Sequence, residues 1–242
     1  SSVPSISRAT SLIFILAAWG PMAALPATRV AEVLLVVAHP DDEYAVAATT
    51  YRIARELGGT VDEVVITNGE GGYRYSLLAE KIYGLQLTRE DVGRSHLPAI
   101  RKQETLRAGR ILGIRHHYFL NQKDVRYTLD PEEALGAWDR RGVAASLDHL
   151  LERERYEFVF VLLPSADTHG HHQAASLLAL EAVGRMPELE RPVVLGAAAG
   201  RHEDEGARFS GRDGYAITRT LSEDPGFVFD RRASFGFHDA LN

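Results

Sequence analysis

The 242 residues carry 45% hydrophobic and 25% charged side chains, an ordinary globular balance that supports one sizeable core. The formal net charge is −6, so the basic footprint of a nucleic-acid binder is absent, and acids and bases are interspersed without a run that reads as an interaction tail. Cysteine is absent while there are ten histidines, which excludes disulfides and thiolate metal sites and leaves imidazole and carboxylate as the available metal ligands.

The N-terminus differs from the rest. "SISRATSLIFILAAWGPMAALPA" has one Arg, an apolar run and small residues ending in an A-x-A-like pattern. We read residues 1–30 as a signal or export segment, with a packed N-terminal helix or strand as the other reading. The apolar run is short for a membrane-spanning helix and Pro21 interrupts it, so no stable span is expected. An exported protein (periplasmic, extracellular or membrane-associated) is the corresponding expectation, and a cytoplasmic one stays open.

From residue 33 onward there is no repeat, low-complexity linker or second-domain boundary, and residues 31–242 are read as one domain. "EVLLVVA" (32–38) is a continuous apolar run, as in a strand buried on both faces. Residues 42–59 read as a helix, with Ala47, Tyr51, Ala54 and Leu57 at helical spacing and Gly58-Gly59 closing it. A strand is predicted over 61–67, a helix over 97–114 entered after Pro98, a short strand over 116–120 and a helix over 142–154. "YEFVFVLLP" (156–164) is a strand, 171–186 a helix rich in Ala and Leu, and 191–199 a further strand.

Strands alternating with helices imply βαβ units, and hence a Rossmann-like three-layer α/β/α sandwich with a mostly parallel sheet. Ligands in such sheets bind at the carboxyl ends of strands. Three chemically loaded stretches fall there: "HPDDE" after the first strand of the series, "NGEGGY" after the second, and "PSADTHGHH" after the strand at 156–164. A dinucleotide site is excluded, because the first turn carries acids where G-x-G-x-x-G would expose bare N–H groups to a pyrophosphate. "NGEGG" lacks the P-loop lysine, and its glycines fit either a flexible turn or a substrate-lining loop.

His39 and Asp42 lie three apart in a loop at a helix start, where one tight turn presents both inward. By itself this pair also fits a capping arrangement. His169 and His172 repeat the spacing at the start of another helix, and three histidines in four residues suit neither core nor solvated face. His39, Asp42 and one of these histidines would form a His₂Asp set with a position left for water, the pattern of a catalytic zinc; Fe, Co or Mn fit the same donors. Asp41, beside a ligand, would accept a proton from water.

"AHPDDE" (38–43) with "DTHGHHQAA" (167–175) resembles the PIG-L/LmbE-like family of zinc-dependent de-N-acetylases. The resemblance extends to "ITNGEGGYRYS" (66–76) and "RKQETLRAGRILGI" (101–114), and so spans roughly residues 32–200. It implies a Rossmann-like fold and removal of an N-acetyl group from an N-acetylglucosamine-type sugar through a zinc-activated water. Carried over by position, His39, Asp42 and His172 are metal ligands, Asp41 the general base and His169 the polarising residue, acting as an imidazolium. Many members read His-Pro-Asp-His in the second motif; here the place of the orienting Asp is held by His171.

Glu70, Tyr73 and Arg101 are the candidate substrate-binding residues. Tyr73, Arg74 and Tyr75 could stack on a sugar or form an exposed loop. The resemblance puts Arg101 near substrate, whereas its spacing also permits an ion pair with Glu104. His116 and His117 read as packing or surface residues, and "RHEDEG" (201–206) as a polar loop able to gate the site. The chain stops at "FGFHDALN", where family members usually continue through another helix, so a short C-terminal form is expected. Two other functions stay open: a metallo-amidase acting on a non-sugar or thiol-conjugate substrate, and a carbohydrate-binding protein without turnover.

Overall fold

A computed structural model describes residues 9–16, 30–201 and 208–230. In chain order, β1 (Ala9–Leu16) is followed by β2 (Glu32–Val37), a 3₁₀ turn at Asp42–Val46, α1 (Ala47–Tyr51), a π turn at Arg52–Glu56 and β3 (Thr60–Thr67). A second 3₁₀ turn (Glu70–Tyr75) leads into α2 (Leu77–Tyr83), α3 (Glu90–Leu112) and β4 (His116–Gln122). Then come α4 (Pro131–Ala137), α5 (Arg140–Arg153), β5 (Phe158–Leu162), α6 (Gly170–Arg185), β6 (Val193–Arg201) and β7 (Phe227–Asp230).

The strands form one sheet in the order β4-β3-β2-β5-β6-β1-β7. Neighbours from β4 to β6 pair in parallel, while β1 is antiparallel to both β6 and β7. Alternation along β2 sorts the two faces. Leu34 and Val36 join Val64, Ile66, Val159 and Val161 under α5 and α6. Val33, Leu35 and Val37 join Val61, Val65 and Phe160 on the other face, with Val46 and the end of α3 at Leu112. Two buried faces explain why β2 from Val33 on and β5 read as unbroken apolar runs. Succession runs outward from β2 through β3 to β4 on one side and from β5 to β6 on the other, so the switch point lies between β2 and β5.

Several expectations change. Ala9–Leu16, inside the stretch read as an export segment, is a sheet strand with Ile13 and Leu16 buried; residues 1–8 and 17–29 lie outside the described residues. Among the described residues no helix is long and apolar enough to cross a membrane. The helix expected over 42–59 changes pitch twice, and Leu57, placed on its apolar face, is exposed. The helix expected after Pro98 begins eight residues earlier, at Glu90. A proline inside a helix removes its own N–H bond and crowds the carbonyl four residues back, costing about 3 kcal/mol, and here tertiary contacts hold the preceding turns against that cost. Arg94 donates to the carbonyls of Asp124 and Val125, and Gly93 sits where a Cβ would strike the Leu87 carbonyl. The short helices α2 and α4 were not expected. Residues 202–206 of the polar loop, and His238 with the rest of 231–242, lie outside the described residues.

Candidate metal centre and adjoining cleft

The loop after β2 and the loop before α6 face each other across the switch point. Two features of the first loop place its acids, Asp41 outward and Asp42 and Glu43 inward. Asp41 takes φ 133°, outside the ordinary range for a side-chain-bearing residue, and the 3₁₀ turn that follows buries Asp42 and Glu43. Such backbone strain persists only where the surroundings impose it, and it gathers at functional sites. The Asp42 carboxylate is held from below by the N–H groups of Ala38 and His39, at 3.1 and 2.8 Å.

His39, Asp42 and His172, the three residues read as ligands, come together. His39 Nδ1 lies 3.4 Å from Asp42 Oδ2 and 3.1 Å from His172 Nε2, and His172 Nε2 lies 3.1 Å from Asp42 Oδ1. A tetrahedral ion with ~2.0–2.1 Å bonds holds its donors about 3.3 Å apart, so the set fits a divalent ion with little rearrangement. Burial opposes ionisation of Asp42, but His39 and His172 outweigh it and hold the carboxyl far below the usual range. For His39, burial pulls down while Asp42 and then Asp124 pull up more strongly, leaving it above the ordinary histidine value. One carboxylate facing two imidazoles is the electrostatic counterpart of a cation site.

His169 caps α6: its Nδ1 accepts the N–H of His171 at 3.0 Å. The neutral ring therefore carries its proton on Nε2. Burial, with His39 and His172 close by, brings His169 down to about 4. His171 is fully buried. Its Nδ1 lies 3.0 Å from His39 Nε2, and burial plus three neighbouring histidines bring it down to about 2. So His171, at the place where the resemblance suggests an orienting Asp, contacts the far nitrogen of His39, and reaches His169 only through its backbone N–H and ring packing. His39, His169 and His171 also form a second group of mutually close donors.

Asp41 is not in either donor group. Its Oδ2 accepts from Arg101 Nη2 at 2.5 Å. Surrounding protein raises the Asp41 carboxyl above its ordinary value, desolvation outweighing Arg101 and Asp42 adding to it, even though 67% of the side chain is open to solvent. Arg101 also donates to the carbonyls of Pro40 and Gly69, tying the first motif to the glycine loop. The pairing of Arg101 with Glu104 is not formed; Glu104 instead accepts from the Tyr83 hydroxyl at 2.7 Å. Tyr73 is buried against Leu87 and Leu97, with Arg94 stacked on its ring, so it is not presented to a sugar. The 3₁₀ turn rotates it inward and leaves Tyr75 exposed. Glu70 is buried and pushed upward by that burial. His117 is packed, with Nε2 3.4 Å from Glu63, and His116 is half-exposed beside Asp62.

Three residues near the centre were missed. Asp124 is buried in the β4–α4 connection, accepts the N–H of Gly71 at 3.1 Å and lies 3.4 Å from His171 Nδ1. Tyr127 meets His169 edge-on at 4.8 Å, and Trp138 packs on His171 at 5.5 Å. "QKDVRYTLD" reads as a plain polar loop, and only the fold brings it to the switch point. Beside the centre lies a cleft of about 440 Å³, with Asp41 and Arg101 at its wall and α2 and α3 along its sides.

Residues 34–183 match the family model described as PIG-L: GlcNAc-PI de-N-acetylase. A curated relative, the probable N-acetyl-alpha-D-glucosaminyl L-malate deacetylase 2 of Bacillus cereus, is 27% identical over 172 residues, 71% of this chain and 70% of the relative. Among solved structures, the N,N'-diacetylchitobiose deacetylase of Pyrococcus horikoshii matches with 26% identity and TM-score 0.47, over 63% of this chain and 49% of that one. The 4-carboxy-2-hydroxymuconate hydratase GalB of Pseudomonas putida KT2440 matches with 20% identity and TM-score 0.50, over 63% and 55%. The chain thus spans about half the length of these two structures.

Proposed function

The chain belongs to the PIG-L family, and from that premise we propose that it is a metal-dependent hydrolase removing the acetyl group from an N-acetylglucosamine-type sugar. The observation that carries the reading is the His39–Asp42–His172 set, buried at His39 and Asp42, with its three mutual spacings of 3.1–3.4 Å, beside an acid that is free of it. Fold alone does not choose the reaction, since a hydratase shares it.

The donors suit zinc, with Fe, Co or Mn as substitutes. A divalent ion there supplies a Lewis acid that polarises an amide carbonyl and acidifies water. Asp41 takes the proton of the attacking water and passes it to the leaving nitrogen, because an amide nitrogen leaves only when protonated. Arg101 on Oδ2 orients that carboxylate and leaves its other oxygen to the water. His169 acts as a neutral Nε2–H donor to the oxyanion of the tetrahedral intermediate, in place of the imidazolium expected from sequence, since its Nδ1 is committed to the α6 cap and its pKa is about 4. Neutral imidazole serves as an electrophile elsewhere for the same reason. Asp124 braces the glycine loop through Gly71 and flanks His171.

The test is metal content together with acetate release from N-acetylglucosamine derivatives, for wild type and Asp41→Ala. The expected result is one ion per chain in both proteins and release lost by about 10²–10⁴-fold in the variant, the usual worth of a general base. Failure of wild type to bind a divalent ion would remove the ligand assignment. An ion bound without acetate release would move the reading to another amide or to binding without turnover.

A further inference from the structure

The cleft beside Asp41 has a composition that its catalytic wall does not require. Its polar end is the Asp41–Arg101 pair, and its other walls include Leu78 and Ala79 from α2 and Leu97 and Ile100 from α3. Tyr75 and Leu78 line it while remaining 83% and 79% exposed. Leu77 and Ile82 continue the apolar surface along α2. A seven-residue helix that turns Leu78 and Ile82 outward, at i and i+4, has left an apolar face without a partner among the described residues.

Charge narrows what can lie there. The carboxylates of Asp41, Glu43 and Glu104 line the cleft, and Arg101 is its one lining cation among the described residues. That guanidinium is already shared among Asp41 and the carbonyls of Pro40 and Gly69. An anionic group entering the cleft would meet the Glu104 carboxylate and the Arg101-paired Asp41, with no uncommitted lining cation among the described residues. A volume of about 440 Å³ lies in the range of small-molecule sites.

We propose that this cleft receives a neutral, apolar aglycone of the acetylated sugar, so that the substrate is an N-acetylamino-sugar glycoside carrying an alkyl or aryl group. This rests on the deacetylase reading above. The acetamide is placed at Asp41, and the aglycone lies along Leu78, Leu97 and Ile100, removing from water both its own surface and that of α2. The selectivity comes from apolar burial on one side and, on the other, from acidic lining whose one cation is already committed, which disfavours a dicarboxylate in the same position.

The experiment compares kcat/KM for acetate release from methyl, hexyl and dicarboxylate-bearing glycosides of N-acetylglucosamine, in wild type, Leu78→Asp and Tyr75→Ala. Both substituted positions are exposed, so the fold tolerates them. The expected result is a preference for hexyl over methyl of about tenfold or more, as burial of several methylenes implies, with the dicarboxylate poorest. In Leu78→Asp the hexyl-to-methyl ratio collapses toward one, and in Tyr75→Ala it falls part of the way. Acetate released equally from methyl and hexyl, or fastest from the dicarboxylate, overturns the inference while leaving the deacetylase reading intact. Stimulation by phosphatidylcholine vesicles without a hexyl preference also overturns it, assigning the apolar face to a lipid surface. Acetate released from none of the three removes the deacetylase reading, and the inference with it.

Discussion

Three neighbouring acids take three different states because each meets a different environment. Asp42 is fixed by two N–H groups and two imidazoles, Asp41 faces solvent under Arg101, and burial pushes Glu43 up to about 7. On the proposed roles, this division separates ligand from base and makes their substitutions distinguishable. His172→Ala removes one of three donors, so the variant is expected to lose its ion on dialysis, measured as metal content, while Asp41→Ala keeps it. Arg101→Met leaves the donor set whole but frees the Asp41 carboxylate and the Pro40 and Gly69 carbonyls. Acetate release should fall by about 10–100-fold, the usual effect of losing such a supporting contact, with metal content unchanged. Arg101→Lys should recover only part of the rate, because an ammonium cannot reproduce the planar fork. The candidate donors were legible in "HPDDE" and "HGHH" from their repeated three-residue spacing, while the choice of His172 and the role of Asp41 came from the resemblance. The protonation of His169 was not, since it depends on a cap and on rings from a distant segment.

Among the elements, α3 shows how tertiary contacts overrule local signals. Pro98 suggested a helix start, yet the helix runs through it over 23 residues, Glu90 to Leu112. Its far half leans on β4 at Gly109, where a Cβ would lie 2.2 Å from two atoms of the His117 ring. Alanine there gains about 1 kcal/mol of helix propensity. Overpacking against a buried ring costs about 1–3 kcal/mol, and this ring is pinned beside Glu63 and Phe119. Gly109→Ala is therefore expected to lower the melting temperature despite its better propensity, measurable by thermal denaturation. At the other side of the sheet, β1 occupies the place between β6 and β7. We keep export of the chain as a proposal, with this consequence: cleavage near residue 30 would remove β1 and expose the edge of β6 for pairing. N-terminal sequencing of the purified protein decides it, a start near residue 31 supporting export and a start before Ala9 opposing it.

Across the whole molecule, the buried Glu63 links the fold to pH. It lies on β3 with neither oxygen hydrogen-bonded. Burial, then Glu43 and Asp42, raise its carboxyl well above the ordinary value, while burial lowers His117 beside it. A carboxyl protonated in the folded state but ionised in the unfolded one makes the unfolded state bind fewer protons. Stability must then fall as pH rises from about 4.3, the unfolded value, toward the folded one. In metal-free protein, denaturant unfolding should show that decline. Glu63→Gln should flatten it and be the more stable protein at neutral pH; an unchanged slope would assign the decline to other groups. No sequence pattern announced this residue, because a Glu beside Asp62 in a strand reads as part of an exposed polar patch. The sequence by itself determined the α/β alternation, the five parallel strands and a set of candidate donors, since apolar runs and residue spacing are local properties of the chain. Only the tertiary structure decided that Tyr73 faces the core, that Arg101 holds Asp41, that Asp124 joins the centre and that an apolar cleft opens beside the base. Each of these depends on which distant segments a crossover brings together, and no local pattern encodes that distance.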